Sequence, residues 1–334
     1  MKLLSAIGLG AVVPMLITSA AIAAVEPTVL MPEALQSTRS HTALMLQGTE
    51  RLERQDYRAA LEIFEDAIAL HPDHPQAWVG KGDALYGLQR QAEAAMAYRQ
   101  ATALDPNLVS AWVWLGNALD DSGRLREALD AYQQALIIDP DYVLAYYHRG
   151  IAYAQAGRYS DAQKEFQHAT TLAPNMTHAW LRLGSSLTKL EQYAEALAAF
   201  EQTIVLRSDD PEAWYFKVIA LLQVKRYQEA ITAFDQTVIL APTLARAWFF
   251  RGNSLSELQR YSEALASYEQ VIRLDPRAEN AWFNKAVMLA HLERHTAAID
   301  AIEQVLTINP ENTQAQEMRD ELQTLTPQSV ADLE

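Results

Sequence analysis

Cysteine is absent from all 334 residues, which excludes disulfides, thiol nucleophiles and cysteine metal ligands together. A chain of this size must then be stable through packing alone. Basic residues are also scarce: 27 Lys and Arg stand against 42 Asp and Glu, a formal net charge of −15. Phosphate recognition needs a basic face, so nucleic acid is not expected as a ligand, and anionic membrane surfaces are disfavoured for the same reason. The acids either keep an elongated molecule soluble or attract a basic partner.

What is present is a period. Six of the seven tryptophans follow an alanine and stand thirty-four residues, or a multiple of it, apart: Trp78, Trp112, Trp180, Trp214, Trp248 and Trp282. Tyr146 fills the missing step. Counting units from His41, Pro75, Val109, Val143, Thr177, Pro211, Ala245 and Glu279, alanine holds place 20 in all eight, from Ala60 to Ala298. Place 8 is glycine except at Val218 and Ala286, and place 24 is a ring except at Ile302. Place 32 is proline except at Ser208. A period of this size means a stack of similar units, each too small to bury its apolar face without its neighbours.

Each recurring residue has a physical cause. Places 4, 8 and 11 share one stripe of a first helix, and places 20, 24 and 27 share the matching stripe of a second. Glycine at place 8 lets the helices approach, and the proline at place 32 ends the second helix. Segments such as Asp121-Ser122-Gly123-Arg124 supply the turn between them. On this reading the tryptophans are core residues, and Trp180→Ala is expected to cost about 3–5 kcal/mol. Where Ser208 replaces proline, Pro211 opens the next helix behind Asp209 and Asp210, a cap and first-turn arrangement.

These residues closely resemble the tetratricopeptide repeat, and the pattern runs without insertion over 41–312. The resemblance implies an all-α, right-handed superhelical α-solenoid of eight 34-residue helix-turn-helix repeats. Residues 313–325, with Ala315, Met318, Leu322 and Leu325 on one side, read as a C-terminal capping helix, and 326–334 as a tail. At the other end, Lys2 precedes an uncharged stretch from Leu3 to Val25 that ends in Ala21-Ile22-Ala23. This pattern predicts a signal peptide over 1–23 and a linker over 24–40. Residue habits such as Trp248-Phe249-Phe250-Arg251-Gly252 resemble bacterial repeats of this family, which implies the periplasm, or the thylakoid lumen in a cyanobacterial source. A membrane is expected as a partner only if the leader is retained as an anchor.

The resemblance places the binding surface on the first helices, along places 2, 5, 9 and 12. Candidate peptide-binding residues there are Asn117, Tyr147, Tyr215, Phe249, Asn253 and Phe283. The rings would be anchors and the asparagines would bond a ligand backbone; the alternative is that the rings are ordinary packing. No place-5 residue is basic, so the carboxylate clamp of chaperone-binding members is not expected. His291 and His295 have the i, i+4 spacing of a metal pair but straddle a turn, and His71 and His74 flank Pro72 in another. Packing is the expected role of all four. Outside the array too little chain remains for a catalytic domain, so no catalytic residue, cofactor or metal is expected. The function expected is a non-catalytic protein–protein interaction scaffold or assembly factor outside the cytoplasm. The alternatives are a carrier of a non-protein ligand such as a glycan, or the recruiting subunit of an envelope enzyme.

Overall fold

The computed structural model describes residues 33–325, with side chains from Ser40 onward. The expected signal peptide (1–23), the first part of the linker (24–32) and the tail (326–334) lie outside the described residues. Seventeen helices follow one another in pairs. The first four units are α1 (Glu33–Glu53) with α2 (Tyr57–Leu70), α3 (Pro75–Gly87) with α4 (Gln91–Leu104), α5 (Val109–Asp121) with α6 (Leu125–Ile138), and α7 (Val143–Gln155) with α8 (Tyr159–Leu172). The next four are α9 (Thr177–Lys189) with α10 (Tyr193–Leu206), α11 (Pro211–Gln223) with α12 (Tyr227–Leu240), α13 (Ala245–Glu257) with α14 (Tyr261–Leu274), and α15 (Glu279–His291) with α16 (His295–Ile308). A single helix, α17 (Thr313–Leu325), closes the array against α16.

Every helix packs on the next. First helices also touch across units, α1 on α3, α5 on α7, α7 on α9 and α9 on α11, and no pair of second helices does so to the same degree among the described residues. Because the first helices crowd together while the second helices spread apart, the first helices form the inner face of an all-α repeat solenoid.

The core is built at the repeating places. The place-20 alanines and the place-24 side chains, Phe64, Tyr98, Tyr132, Phe166, Phe200, Phe234, Tyr268 and Ile302, are all essentially excluded from solvent. Place 24 presses on place 8 of its own unit, so a Cβ on Gly116 would sit 2.4 Å from the Tyr132 ring. The missing side chain is therefore the condition for seating the ring, as expected. Val218 takes that place with no exposed surface in the sixth unit.

The six place-4 tryptophans do something else. They are only half-buried, and each indole N–H donates to the carbonyl of place 32 in the preceding unit: Trp78 to Pro72 at 2.8 Å, Trp180 to Pro174 at 2.9 Å, Trp282 to Pro276 at 3.0 Å. The Tyr146 hydroxyl reaches Pro140 and the Gln316 amide reaches Pro310 in the same way. Ser208 accepts from Trp214 as the prolines do, because only a backbone carbonyl is needed. The ring thus latches the turn between units, and the cost expected for Trp180→Ala falls to about 2 kcal/mol, one hydrogen bond plus partial burial.

Two boundaries differ from expectation. Residues 33–40, expected to end a linker, form the start of α1, since no proline or glycine interrupts the chain between Glu33 and Gln47. In α17, Ala315 and Leu322 are buried but Leu325, the last residue of the helix, is exposed. Asp210 caps α11 as expected, accepting from the Glu212 N–H at 2.9 Å ahead of Pro211.

The turn inside each unit depends on place 15, which has positive φ in all eight: Gln55, Gln89, Gly123, Gly157, Glu191, Lys225, Gln259 and Glu293. Only two of these are glycine. A side chain in this left-handed region meets the following carbonyl, so the other six positions carry strain. Replacing Gln89, Glu191 or Lys225 by glycine is expected to stabilise the protein by roughly 0.5–1 kcal/mol each. Urea midpoints would check this, and an unchanged or lowered midpoint would remove the strain argument.

Candidate functional site

The inner face is a continuous wall of first-helix side chains that touch from unit to unit. Trp114 of α5 meets His148 of α7 at 5.9 Å between ring centroids, and the Arg246 guanidinium of α13 lies 4.5 Å over the Tyr215 ring of α11. Arg182 of α9 reaches the Tyr147 hydroxyl of α7, and the Asn284 amide of α15 donates to Asn253 of α13 at 3.3 Å. His148 retains some solvent access, yet desolvation depresses it to about 4, so it is neutral at pH 7. That combination is expected of a group set in the wall of a trough.

The six candidate residues are strung along this wall on α5, α7, α11, α13 and α15. Tyr147 packs against Phe166 at 6.0 Å and His148 at 5.3 Å, and burial raises its phenol. Tyr215 is 8% exposed. Phe249 leans edge-on against Tyr268 at 5.9 Å, and Phe283 joins the same C-terminal core. Much of each ring is packing, and Tyr147, Phe249 and Phe283 keep a solvent-facing edge.

The asparagines have an internal partner. Asn117 accepts from the Tyr132 hydroxyl at 2.7 Å and Asn253 from the Tyr268 hydroxyl at 2.8 Å. Asp83 accepts from Tyr98 at 2.6 Å in the same places of the second unit. Where place 24 is phenylalanine or isoleucine, place 9 is Thr49, Ile151, Ser185, Ile219 or Val287 instead. The polar residue at place 9 therefore satisfies a buried phenol, leaving only the amide N–H groups of Asn117 and Asn253 for anything outside. This pairing of tyrosine with Asp or Asn fifteen residues earlier was readable in the sequence.

Place 6 carries wall residues that the stripe of places 2, 5, 9 and 12 omitted: Trp114, His148, Arg182, Phe216 and Phe250. It lies about 100° around the helix from place 5, on the side turned to the preceding unit, where Phe216 stacks on Phe200, while Arg182 and Phe250 stay exposed. Charge is uneven along the wall. Units two and three hold Asp83, Asp120 and Asp121 with no base at these places, whereas units five to seven hold Arg182, Lys189 and Arg246 together with Glu212 and Glu257. Desolvation raises Asp83 and Asp120 to about 6 each, with Asp121 adding to the effect on Asp120. The Tyr86 hydroxyl donates to Asp121.

The histidines are packed groups. His291 stacks on Tyr261 at 4.4 Å with the rings 4° from parallel. His71 and His74 pack around His41 at 4.7 and 4.6 Å. Among the described residues no group of three His, Asp or Glu is arranged to hold a metal ion, and no helix is long and apolar enough to cross a membrane.

Comparison with known proteins agrees with this architecture. A family model described as Tetratricopeptide repeat matches residues 45–109, 147–203, 181–245 and 251–313, and one described as TPR repeat matches 116–157. No curated protein shows significant similarity. Among solved structures, pilF of Pseudomonas aeruginosa is similar over 62% of this chain and 94% of its own, at 17% identity and TM-score 0.55. A tetratricopeptide repeat protein of Parabacteroides merdae is similar over 75% and 99%, at 16% identity and TM-score 0.53. A chain of the Cut9–Hcn1 assembly of the APC/C aligns at 17% identity and TM-score 0.45, over 87% of this chain, which spans 57% of that one.

Proposed function

The chain belongs to the tetratricopeptide repeat family, and from that premise we propose that it is a non-catalytic protein–protein interaction scaffold or assembly factor outside the cytoplasm, holding a partner segment along its inner face. One observation carries the reading. The first helices form an unbroken trough whose aromatic edges, Tyr147, Phe249 and Phe283, remain partly open to solvent beside the exposed Phe250. Half-buried rings held rigid by a core are what protein interfaces use as anchors. The apolar leader sequence ending in Ala21-Ile22-Ala23 supports export.

The test is capture with mature chain from the exported fraction, in parallel with a variant carrying Phe249→Ser and Phe283→Ser. The parent is expected to retain polypeptides and the variant to bind them at least about tenfold more weakly, with its helical circular dichroism preserved. Equal retention by both would reject the inner face as the binding surface. Release by a soluble sugar would favour the carrier of a glycan instead.

A further inference from the structure

Among the described residues, Arg182 of α9, at the Tyr147 hydroxyl, and Arg246 of α13, stacked on Tyr215, have no carboxylate within ion-pair distance. Arg90, Arg124, Arg158, Arg226 and Arg260, at the N-caps of second helices, each pair with an acid three residues on. What distinguishes Arg182 and Arg246 is that each is exposed on the inner face and held against a tyrosine there, which presents a positioned cation to an incoming anion. A tyrosine orients each guanidinium from one side, leaving N–H donors of its planar fork to point outward. Leu222 of α11 and Phe249 of α13 add partly buried apolar surface to this stretch of first helices. Glu212, in the first turn of α11 and close enough to help raise the Tyr147 phenol, disfavours further negative charge beside it.

We infer that the trough between units five and seven takes an extended polypeptide segment with two carboxylates flanking an uncharged, apolar stretch, the outer acids seated on Arg182 and Arg246. This rests on the proposal that the inner face binds a segment, and it names the chemistry of that segment. Neighbouring helix axes lie about 8–10 Å apart, so α9 and α13 are separated by roughly 15–20 Å. An extended chain rises about 3.3 Å per residue, which puts the two acids about five or six residues apart. The carboxylates Asp83, Asp120 and Asp121 repel the same segment from units two and three and so fix where along the trough it lies.

The experiment uses a capped synthetic peptide with two glutamates about five residues apart and leucine and phenylalanine between them. It is compared with the same peptide carrying glutamine, and again carrying lysine, in place of glutamate. Fluorescence anisotropy with the mature chain is expected to show the glutamate peptide binding about tenfold or more tighter than the glutamine one, with a gap that narrows at high salt. The double variant Arg182→Gln, Arg246→Gln should close that gap while keeping the residual affinity for the glutamine peptide. Equal affinity for all three peptides, or preference for lysine, overturns this inference and leaves the inner-face reading standing. If none of the three binds folded protein, both fall.

Discussion

Phe200→Ala is expected to cost about 3–5 kcal/mol, about twice the loss for Trp180→Ala in the same unit. Phe200 is wholly excluded from solvent, its ring lies against Gly184 and it stacks on Phe216 at 6.0 Å, 15° from parallel. Truncation removes the ring from a place three helices have closed around, and rigid helices cannot collapse to refill it. Trp180 loses a half-exposed indole and one hydrogen bond to Pro174. Position in the array adds a second signature. Stability in a stack is close to a sum of unit and interface contributions, and Phe200 lies in the core shared from Ala162 to Ala247. A defect there separates the two halves, so the Phe200→Ala melt should broaden or split, while the Trp180→Ala melt should shift and stay single. Calorimetry distinguishes the two. Comparable losses would return the tryptophans to the core and remove the latch role assigned to them here.

The contrast between these two residues explains what could be read in advance. Alanine at place 20 and a ring at place 24 announce themselves because packing admits few residue types there, and eight copies expose the constraint. Tryptophan at place 4 is as regular, but regularity alone does not say whether a ring is buried or hydrogen-bonded. Its acceptor is a carbonyl six residues back, brought within reach only by the turn between units. Place 15 left no mark, since glutamine, glutamate and lysine stand there as well as glycine and backbone strain does not select one side chain. At the inner face spacing supplies the stripe of rings and the family resemblance its role, while the inward bonds of Asn117 and Asn253 escape a one-helix reading because the phenols behind them come from another helix. Arg182 and His148 were missed because the helical wheel of one unit does not show that place 6 reaches the first helix of the unit before it, Arg182 to Tyr147 and His148 to Trp114.

Asp83→Asn is expected to stabilise the protein at neutral pH, by up to about 3 kcal/mol. The folded carboxyl titrates at about 6 against 3.8 when unperturbed, because desolvation in the trough wall outweighs the hydrogen bond from Tyr98. Between those values the folded state holds the proton more tightly than the unfolded chain, so stability falls as pH rises through this window and the loss is complete above about 6. Asparagine has no charge to desolvate and still offers the oxygen that Tyr98 needs. The chain contains its own controls, since Asn117 and Asn253 make this bond to Tyr132 and Tyr268 in the third and seventh units. The variant should therefore melt well above the parent at pH 7.5 and at the same temperature near pH 4, where the parent's carboxyl is already neutral. Asp83→Ala separates the two contributions: it removes the charge but leaves the buried Tyr98 hydroxyl without an acceptor, and should recover less stability than asparagine at every pH. A gap between Asp83→Asn and the parent that does not change with pH would mean that the aspartate carries no desolvation penalty and that the trough around it is as wet as open surface.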